Sequence, residues 1–187
     1  MNAVNDSSII ETILDEERVF EGHLVKVGKM NVTLPNGEKA IREVVRHVGA
    51  SAIVPLDTDG QVTLVRQFRA AVNRVVLEIP AGKLDSKAED RLLAARRELR
   101  EETGLEADTW THLSDIITTP GFTDELISLY LAEDLRQGEA QPDDDEFLNL
   151  VKMPLSQAVT MCQTGQIDDA KSICALLLAQ KALDGRK

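Results

Sequence analysis

The sequence predicts an α+β fold in which a mixed sheet lies between helices and a small antiparallel β-sheet arm precedes it. Three observations carry this. The first 47 residues alternate apolar and polar positions around an Asn-Gly turn. Strand-like runs stand on both sides of one central helix. Two amphipathic helices close the chain. That order separates an N-terminal section, residues 1–47, from a second section, residues 48–187.

In the first section, HLVKVGKMNVTL alternates apolar and polar residues, and KAIREVVRHV does so more loosely. Asn36-Gly37 between them is a two-residue hairpin signal. A sheet spanning 9–47 is too thin to bury both faces by itself, which predicts a partner surface and hence a homodimer. SAIVPL (51–56) is a continuous apolar strand ended by the turn DTDG. QVTLVRQFR (61–69) and RVVLEIP (74–80) follow as strands, and Pro80, Ala81 and Gly82 then break the ladder. KLDSKAED is a polar loop into a helix over roughly 88–103, which Gly104 stops. THLSDIITT (111–119) and ELISLYLAED (125–134) read as strands around TPGFTD. The acidic stretch EDLRQGEAQPDDDE carries the Gly, Gln and Pro of a loop. FLNLVKM is a short strand. PLSQAVTMCQTG and DDAKSICALLLAQKAL are helices, the first beginning with Pro154 in an allowed first-turn position.

Of 187 residues, 43% are hydrophobic, enough for a packed core. The formal charge of −11, from 21 basic and 32 acidic residues, argues against general binding to nucleic acid or an anionic membrane. An anionic substrate would need a local cationic patch or a metal ion. Cys162 and Cys174 form no CxxC pair and the chain has three histidines, so a zinc cage is disfavoured. Two buried free thiols fit a reducing cytoplasm. The start MNAVNDSSIIETILDEERV lacks the basic-then-apolar order of a signal peptide. No apolar run reaches the roughly 18 residues of a membrane span.

The stretch AARRELREETGL (94–105) carries Glu98, Glu101 and Glu102. On a helix these fall within an arc of about 100°, where like charges at i, i+4 repel by roughly 0.2–0.5 kcal/mol. Leu92, Ala95 and Leu99 form the buried stripe of the same helix. The three glutamates border that stripe and are expected neither fully buried nor fully exposed. Hard carboxylate oxygens on one edge suit Mg²⁺ or Mn²⁺. The glycine of Pro-Ala-Gly just upstream lets backbone approach that edge, where a backbone carbonyl could complete the ligand set.

From Gly82 the sequence reads GKLDSKAEDRLLAARRELREETGL. This resembles the Nudix box: glycine, a five-residue spacer, glutamate, a seven-residue spacer, then Arg-Glu-aliphatic-x-Glu-Glu-x-Gly-aliphatic. Arg97, Glu98, Leu99, Glu101, Glu102, Gly104 and Leu105 match in register, and Glu89 stands eight residues before Arg97. Six residues instead of five separate Gly82 from Glu89, an insertion that falls in a loop. REVVRHVGASAIVPL, VRQFR, LEIPAGKLD and TTPGFTDELISLYLAEDL extend the resemblance to the ADP-ribose pyrophosphatase branch. The resemblance implies an α/β/α sandwich Nudix domain joined to an N-terminal sheet that exchanges across a homodimer. It further implies metal-dependent hydrolysis of ADP-ribose to AMP and ribose 5-phosphate. The box reads metal and diphosphate rather than base or sugar, so another nucleoside diphosphate sugar, such as GDP-mannose, is the alternative. A non-catalytic ligand sensor ranks last.

The resemblance implies roles residue by residue. The Ala81 carbonyl, Glu98 and Glu102 hold divalent metal, and Glu101 belongs to the same catalytic cluster. Arg97 orients a glutamate, and Glu89 stands behind it or simply favours the helix start. On the acidic loop, Asp144 falls at the position of the general base and Glu146 at that of a further metal ligand. Asp144 is one methylene shorter than the family's usual glutamate, and Asp143 or Asp145 could substitute. Arg42 and Arg69 are candidates for phosphate and terminal-group binding. Lys83, Gly121 and Glu125 line the same cleft. Glu78 either orders water or ribose or serves as a structural hydrogen-bond partner. Trp110 is assigned to packing.

Overall fold

The computed structural model describes residues 6–138 and 147–186. The chain divides into two compact units, Met1–His47 with Thr119–Glu125, and Val48–Thr118 with Leu126–Lys187.

The first unit is an antiparallel sheet of β1 (Thr12–Glu21), β2 (Lys26–Thr33) and β3 (Lys39–Arg46), in that order. Asn36-Gly37 does mark a hairpin, but its loop has three residues, not two: the Leu34 N–H donates to the Glu38 carbonyl at 2.8 Å and the Gly37 N–H to the Leu34 carbonyl at 2.9 Å around Pro35-Asn36-Gly37. Gly37 takes φ 87°, and the Asn36 side chain accepts the Glu38 N–H at 3.0 Å. β2 alternates strictly, burying Met30 and Val32. β1 is exposed along all ten residues, and its central run Asp15-Glu16-Glu17-Arg18 hides any apolar period. The 119–125 turn is tied to β3: the Val45 N–H donates to the Phe122 carbonyl at 2.7 Å, and Asp124 accepts from the His47 N–H at 2.7 Å and Arg46 Nη1 at 3.3 Å.

The second unit contains β4 (Ala50–Pro55), β5 (Gln61–Arg69), β6 (Arg74–Glu78), β7 (Ala81–Lys83), α1 (Arg91–Thr103), β8 (Leu105–Ile117), β9 (Leu126–Gln137), β10 (Leu148–Pro154), α2 (Leu155–Gln163) and α3 (Ala170–Asp184). One sheet has the order β7-β4-β9-β8, with β4 parallel to β9 and its other pairs antiparallel. A second, antiparallel sheet has the order β10-β5-β6. β4 is buried at every position, as a strand covered on both faces must be. Its Ile53 packs with Ala95 and Leu99 of α1 and Tyr130 of β9. Its Ala52 and Val54 pack with Ala158 of α2 and Ala175, Leu176 and Ala179 of α3. The mixed sheet therefore lies between α1 and the α2–α3 pair, the layering the sequence predicts.

Several boundaries differ from expectation, among them the end of β9, which runs to Gln137 in the stretch read as a loop. α1 starts at Arg91 rather than near 88, because Asp90 caps it by accepting the Leu93 N–H at 2.9 Å. The β5–β6 ladder ends at Glu78, as expected, but Ala81–Lys83 then forms an edge strand of the other sheet, β7, registered on Ala50–Ala52 of β4. β8 begins at Leu105, immediately after the left-handed Gly104 (φ 69°), and not at 111. Its charged, partly exposed first half pairs with β9 and needs no apolar alternation to form. Among the described residues, no helix is long and apolar enough to cross a membrane.

Candidate active site

α1 lies beside β7, and this contact builds the site. Glu98 and Glu102, one turn apart, are 8% and 4% exposed. The expectation of half-exposed carboxylates is thereby corrected for these two, while Glu101 is partly exposed. The cause is β7, the short strand absent from the predicted elements. A Cβ on Gly82 would stand 2.0 Å from the Glu98 carboxyl carbon, so glycine lets the backbone lie against that carboxylate where it stands, and a larger residue would have to displace it. The Ala81 N–H donates to Glu102 Oε2 at 3.0 Å.

Arg97 supplies the positive charge of this edge. Its Nη1 donates to Glu98 Oε1 at 2.7 Å and Glu101 Oε2 at 3.1 Å, and its Nη2 to Glu89 Oε1 at 3.4 Å and the Lys83 carbonyl at 3.3 Å. Burial opposes its charge, but Glu98, Glu101 and Glu89 outweigh that and hold its pKa well above the ordinary arginine value. Arg97 thus gathers glutamates rather than pairing with one. Glu89 also accepts the Asp85 N–H at 2.6 Å, which fastens the six-residue spacer loop to the helix. Through these bonds the inserted residue leaves Arg97 and Glu89 in contact.

A divalent cation suits this donor set. Two carboxylates nine-tenths buried and a third partly buried offer only hard oxygen, and buried charges persist when paired or metal-bound. Among the described residues, no three acidic, histidine or cysteine side chains converge into a ready-made cage. The three glutamates are instead spread over Gly82, the Ala81 N–H and Arg97. Asp144 and Glu146, with Asp143 and Asp145, lie outside the described residues.

Arg69 and Glu78 form a bidentate pair across β5 and β6, Nε to Oε1 at 2.7 Å and Nη2 to Oε2 at 3.0 Å. Glu78 is 2% exposed and also receives Lys171 Nζ. Burial alone would raise its pKa, but Arg69 and Lys171 hold it below the usual carboxylate value. Lys171 also bonds Asp169 at 3.0 Å. Asp169 caps α3 by accepting the Ser172 N–H, and Ser172 Oγ accepts the Ile79 N–H at 2.9 Å. This chain of bonds fixes the segment that leads to Ala81. Lys171, Asp169 and Ser172 were missed in sequence. The one available signal is Glu78 itself, a charge inside an apolar strand that requires a buried partner.

The remaining candidates are placed as follows. Lys83 is exposed, and its carbonyl, not its ammonium, meets Arg97. Arg42, Gly121 and Glu125 belong to the first unit. There Arg42 pairs with Glu11, Gly121 sits in the exposed turn, and Glu125 approaches His47 Nδ1 at 3.5 Å. Trp110 packs edge-on to Tyr130, with ring centroids 6.2 Å apart.

Comparison with known proteins agrees with this geometry. The NUDIX domain family model matches residues 45–176. The chain is 40% identical over 177 residues to the methanol dehydrogenase activator of Bacillus methanolicus, covering 92% of this chain and 95% of that one. It is 36% identical over 184 residues to the ADP-ribose pyrophosphatase of Bacillus subtilis (strain 168), covering 96% and 99%. A crystal structure of an ADP compounds hydrolase superposes with a TM-score of 0.83 at 26% identity, covering 94% of this chain and 95% of that one. A family model that matches 132 of the 187 residues, together with relatives 36–40% identical over nearly the whole chain, shows that the chain belongs to the Nudix family.

Proposed function

We propose that this chain is a Nudix hydrolase that cleaves the diphosphate bond of ADP-ribose, giving AMP and ribose 5-phosphate with Mg²⁺ as the working cation and Mn²⁺ as a substitute. The observation that carries it is the burial of Glu98 and Glu102 at the Gly82 edge. Similarity to an ADP-ribose pyrophosphatase over 96% of the chain supports the substrate.

Glu98, Glu102 and the Ala81 carbonyl would hold the cation, with Glu146 as a further ligand. Once bound, the ion polarises the phosphoryl oxygens and acidifies a water. The chain's own groups do the rest. Arg97 keeps Glu98 and Glu101 aligned. Arg69, held by Glu78, presents its remaining donors to a phosphate. Arg42, Lys83, Gly121 and Glu125 bind the rest of the substrate. Asp144, or its neighbours Asp143 and Asp145, accepts the proton of the attacking water. That oxygen bonds to one phosphorus while the bridging P–O bond breaks toward the other phosphate.

A panel of ADP-ribose, GDP-mannose and other nucleoside diphosphate sugars, assayed side by side with Mg²⁺, tests the substrate. ADP-ribose should give the highest kcat/KM, and a leading GDP-mannose rate would overturn the assignment. Tight binding of every sugar without turnover would point to a sensor. The 40% identity to a methanol dehydrogenase activator favours a second reading, in which the chain raises the rate of an alcohol dehydrogenase. Adding the chain to such an enzyme in a coupled assay decides it.

A homodimer in the cytoplasm completes the proposal. β1 is exposed on both faces, including Ile13, Leu14, Val19 and Phe20, which is more apolar strand surface than an isolated sheet sustains. Light scattering at micromolar concentration should return twice the chain mass, and a monomer there would count against it.

A further inference from the structure

α1 carries a second like-charged pair on the side away from Glu98 and Glu102. Arg96 and Arg100 stand at i, i+4, about 120–160° around the helix from the two glutamates. Like charges at that spacing oppose helix formation by roughly 0.2–0.5 kcal/mol, and here neither is ion-paired among the described residues. Local forces hold them in place without neutralising them. The Arg96 guanidinium lies 5.8 Å from the centroid of the Trp110 ring. Arg100, in the last turn of α1, complements the helix dipole.

These two cations wall a cleft of about 380 Å³ that also contains Arg97, Trp110, Arg136, Glu106 and Asp108, within the roughly 300–1,000 Å³ of small-molecule sites; Arg97 is already engaged by Glu98, Glu101 and Glu89. Arg136 is fixed there by Glu106 at 3.3 Å and Asp108 at 2.9 Å, so its charge is matched and its role is that of a wall. Trp110 is anchored by its own Nε1–H donating to the Ala107 carbonyl at 3.0 Å. The cleft thus combines two unneutralised guanidinium groups with a fixed aromatic side chain, in a chain whose net charge is −11.

We propose that this cleft, which meets the Glu98–Glu102 edge at Arg97, is a second ligand site that takes a nucleoside monophosphate. The phosphate lies against Arg96 and Arg100, whose planar donors match its oxygens. The base packs at the Trp110 and Arg96 wall.

Trp110 is the only tryptophan in the chain, so intrinsic fluorescence reports on this cleft directly. The intact protein is titrated in excess EDTA with AMP, with ribose 5-phosphate and with adenosine. AMP should give a saturable change, and ribose 5-phosphate and adenosine should each bind at least about tenfold more weakly, since each lacks one half of the contact. Arg96→Ala/Arg100→Ala should weaken AMP by roughly ten- to a hundredfold, the effect of losing charge-assisted hydrogen bonds. Arg96→Gln and Arg100→Gln, measured singly with thermal melts, should each lose part of it. The Glu102→Gln protein should retain the AMP response. Absence of a saturable change, equal affinity in the arginine variants, or adenosine or ribose 5-phosphate matching AMP overturns the site. Turnover of ADP-ribose is not the readout, so failure here leaves the hydrolase reading standing, and failure of that reading leaves this one.

Discussion

Glu98 and Glu102 lie one turn apart on α1, and so do Arg96 and Arg100 on its other side. Sequence spacing treats the two pairs alike. The structure does not: the glutamates are buried and the arginines are exposed. Surface arginines four residues apart carry a small penalty that solvent screens. Carboxylates removed from water carry a much larger one unless a cation or donors meet them. The acidic face therefore demands an explanation on energetic grounds, and Arg97, the Ala81 N–H and a divalent ion provide it. The basic face demands none for folding, which leaves its cations available to a ligand.

The largest expected effect breaks the acidic face. Glu102→Gln should keep the fold and lower ADP-ribose turnover by about 10²–10⁴, equivalent to roughly 3–5 kcal/mol of barrier. Near-normal kcat in a variant with an unchanged circular dichroism spectrum would remove the metal-edge assignment. Next comes the network behind that edge. Lys171→Met leaves Glu78 with Arg69 alone and should destabilise the protein by about 2–3 kcal/mol in urea titration, less than for a fully orphaned charge.

The pH dependence of this network has a definite sign. Arg69 and Lys171 lower the folded pKa of Glu78 below the ordinary 4.5. Its contribution is therefore complete above about pH 4.5 and is lost as pH falls through the lowered folded value. The difference in Tm between the native protein and Glu78→Gln should be constant near neutrality and shrink in that acid window. A difference that grows on acidification would contradict the pairing.

Gly82→Ala sharpens the comparison by filling the space that the Glu98 carboxylate occupies. With a Cβ placed 2.0 Å from the carboxyl carbon, β7 or Glu98 must move, at about 1–3 kcal/mol of stability, and turnover should fall with it. The smallest effect belongs to the basic face. Arg96→Ala should change unfolding free energy by no more than about 0.5 kcal/mol, and a loss of several would show that this arginine supports the fold.

Much of this could be read from the chain itself. The spacing of Arg97, Glu98, Glu101 and Glu102 between Gly82 and Gly104 announced one helix with one carboxylate edge. Asn36-Gly37 announced its hairpin, and the apolar run at 51–56 announced a central strand. Each of these is a local property: period, turn chemistry and helix termination act within a few residues. What stayed hidden depends on distant neighbours. Nothing in the sequence near Glu78 reveals that Lys171, 93 residues later, closes its charge. Nothing near Gly82 shows that it is kept bare for Glu98 and not merely for a turn. Which side chains share a face was settled by the sequence alone. Which faces lose their water was decided only when β7 and α3 packed in place, because burial is set by elements that approach from elsewhere in the chain.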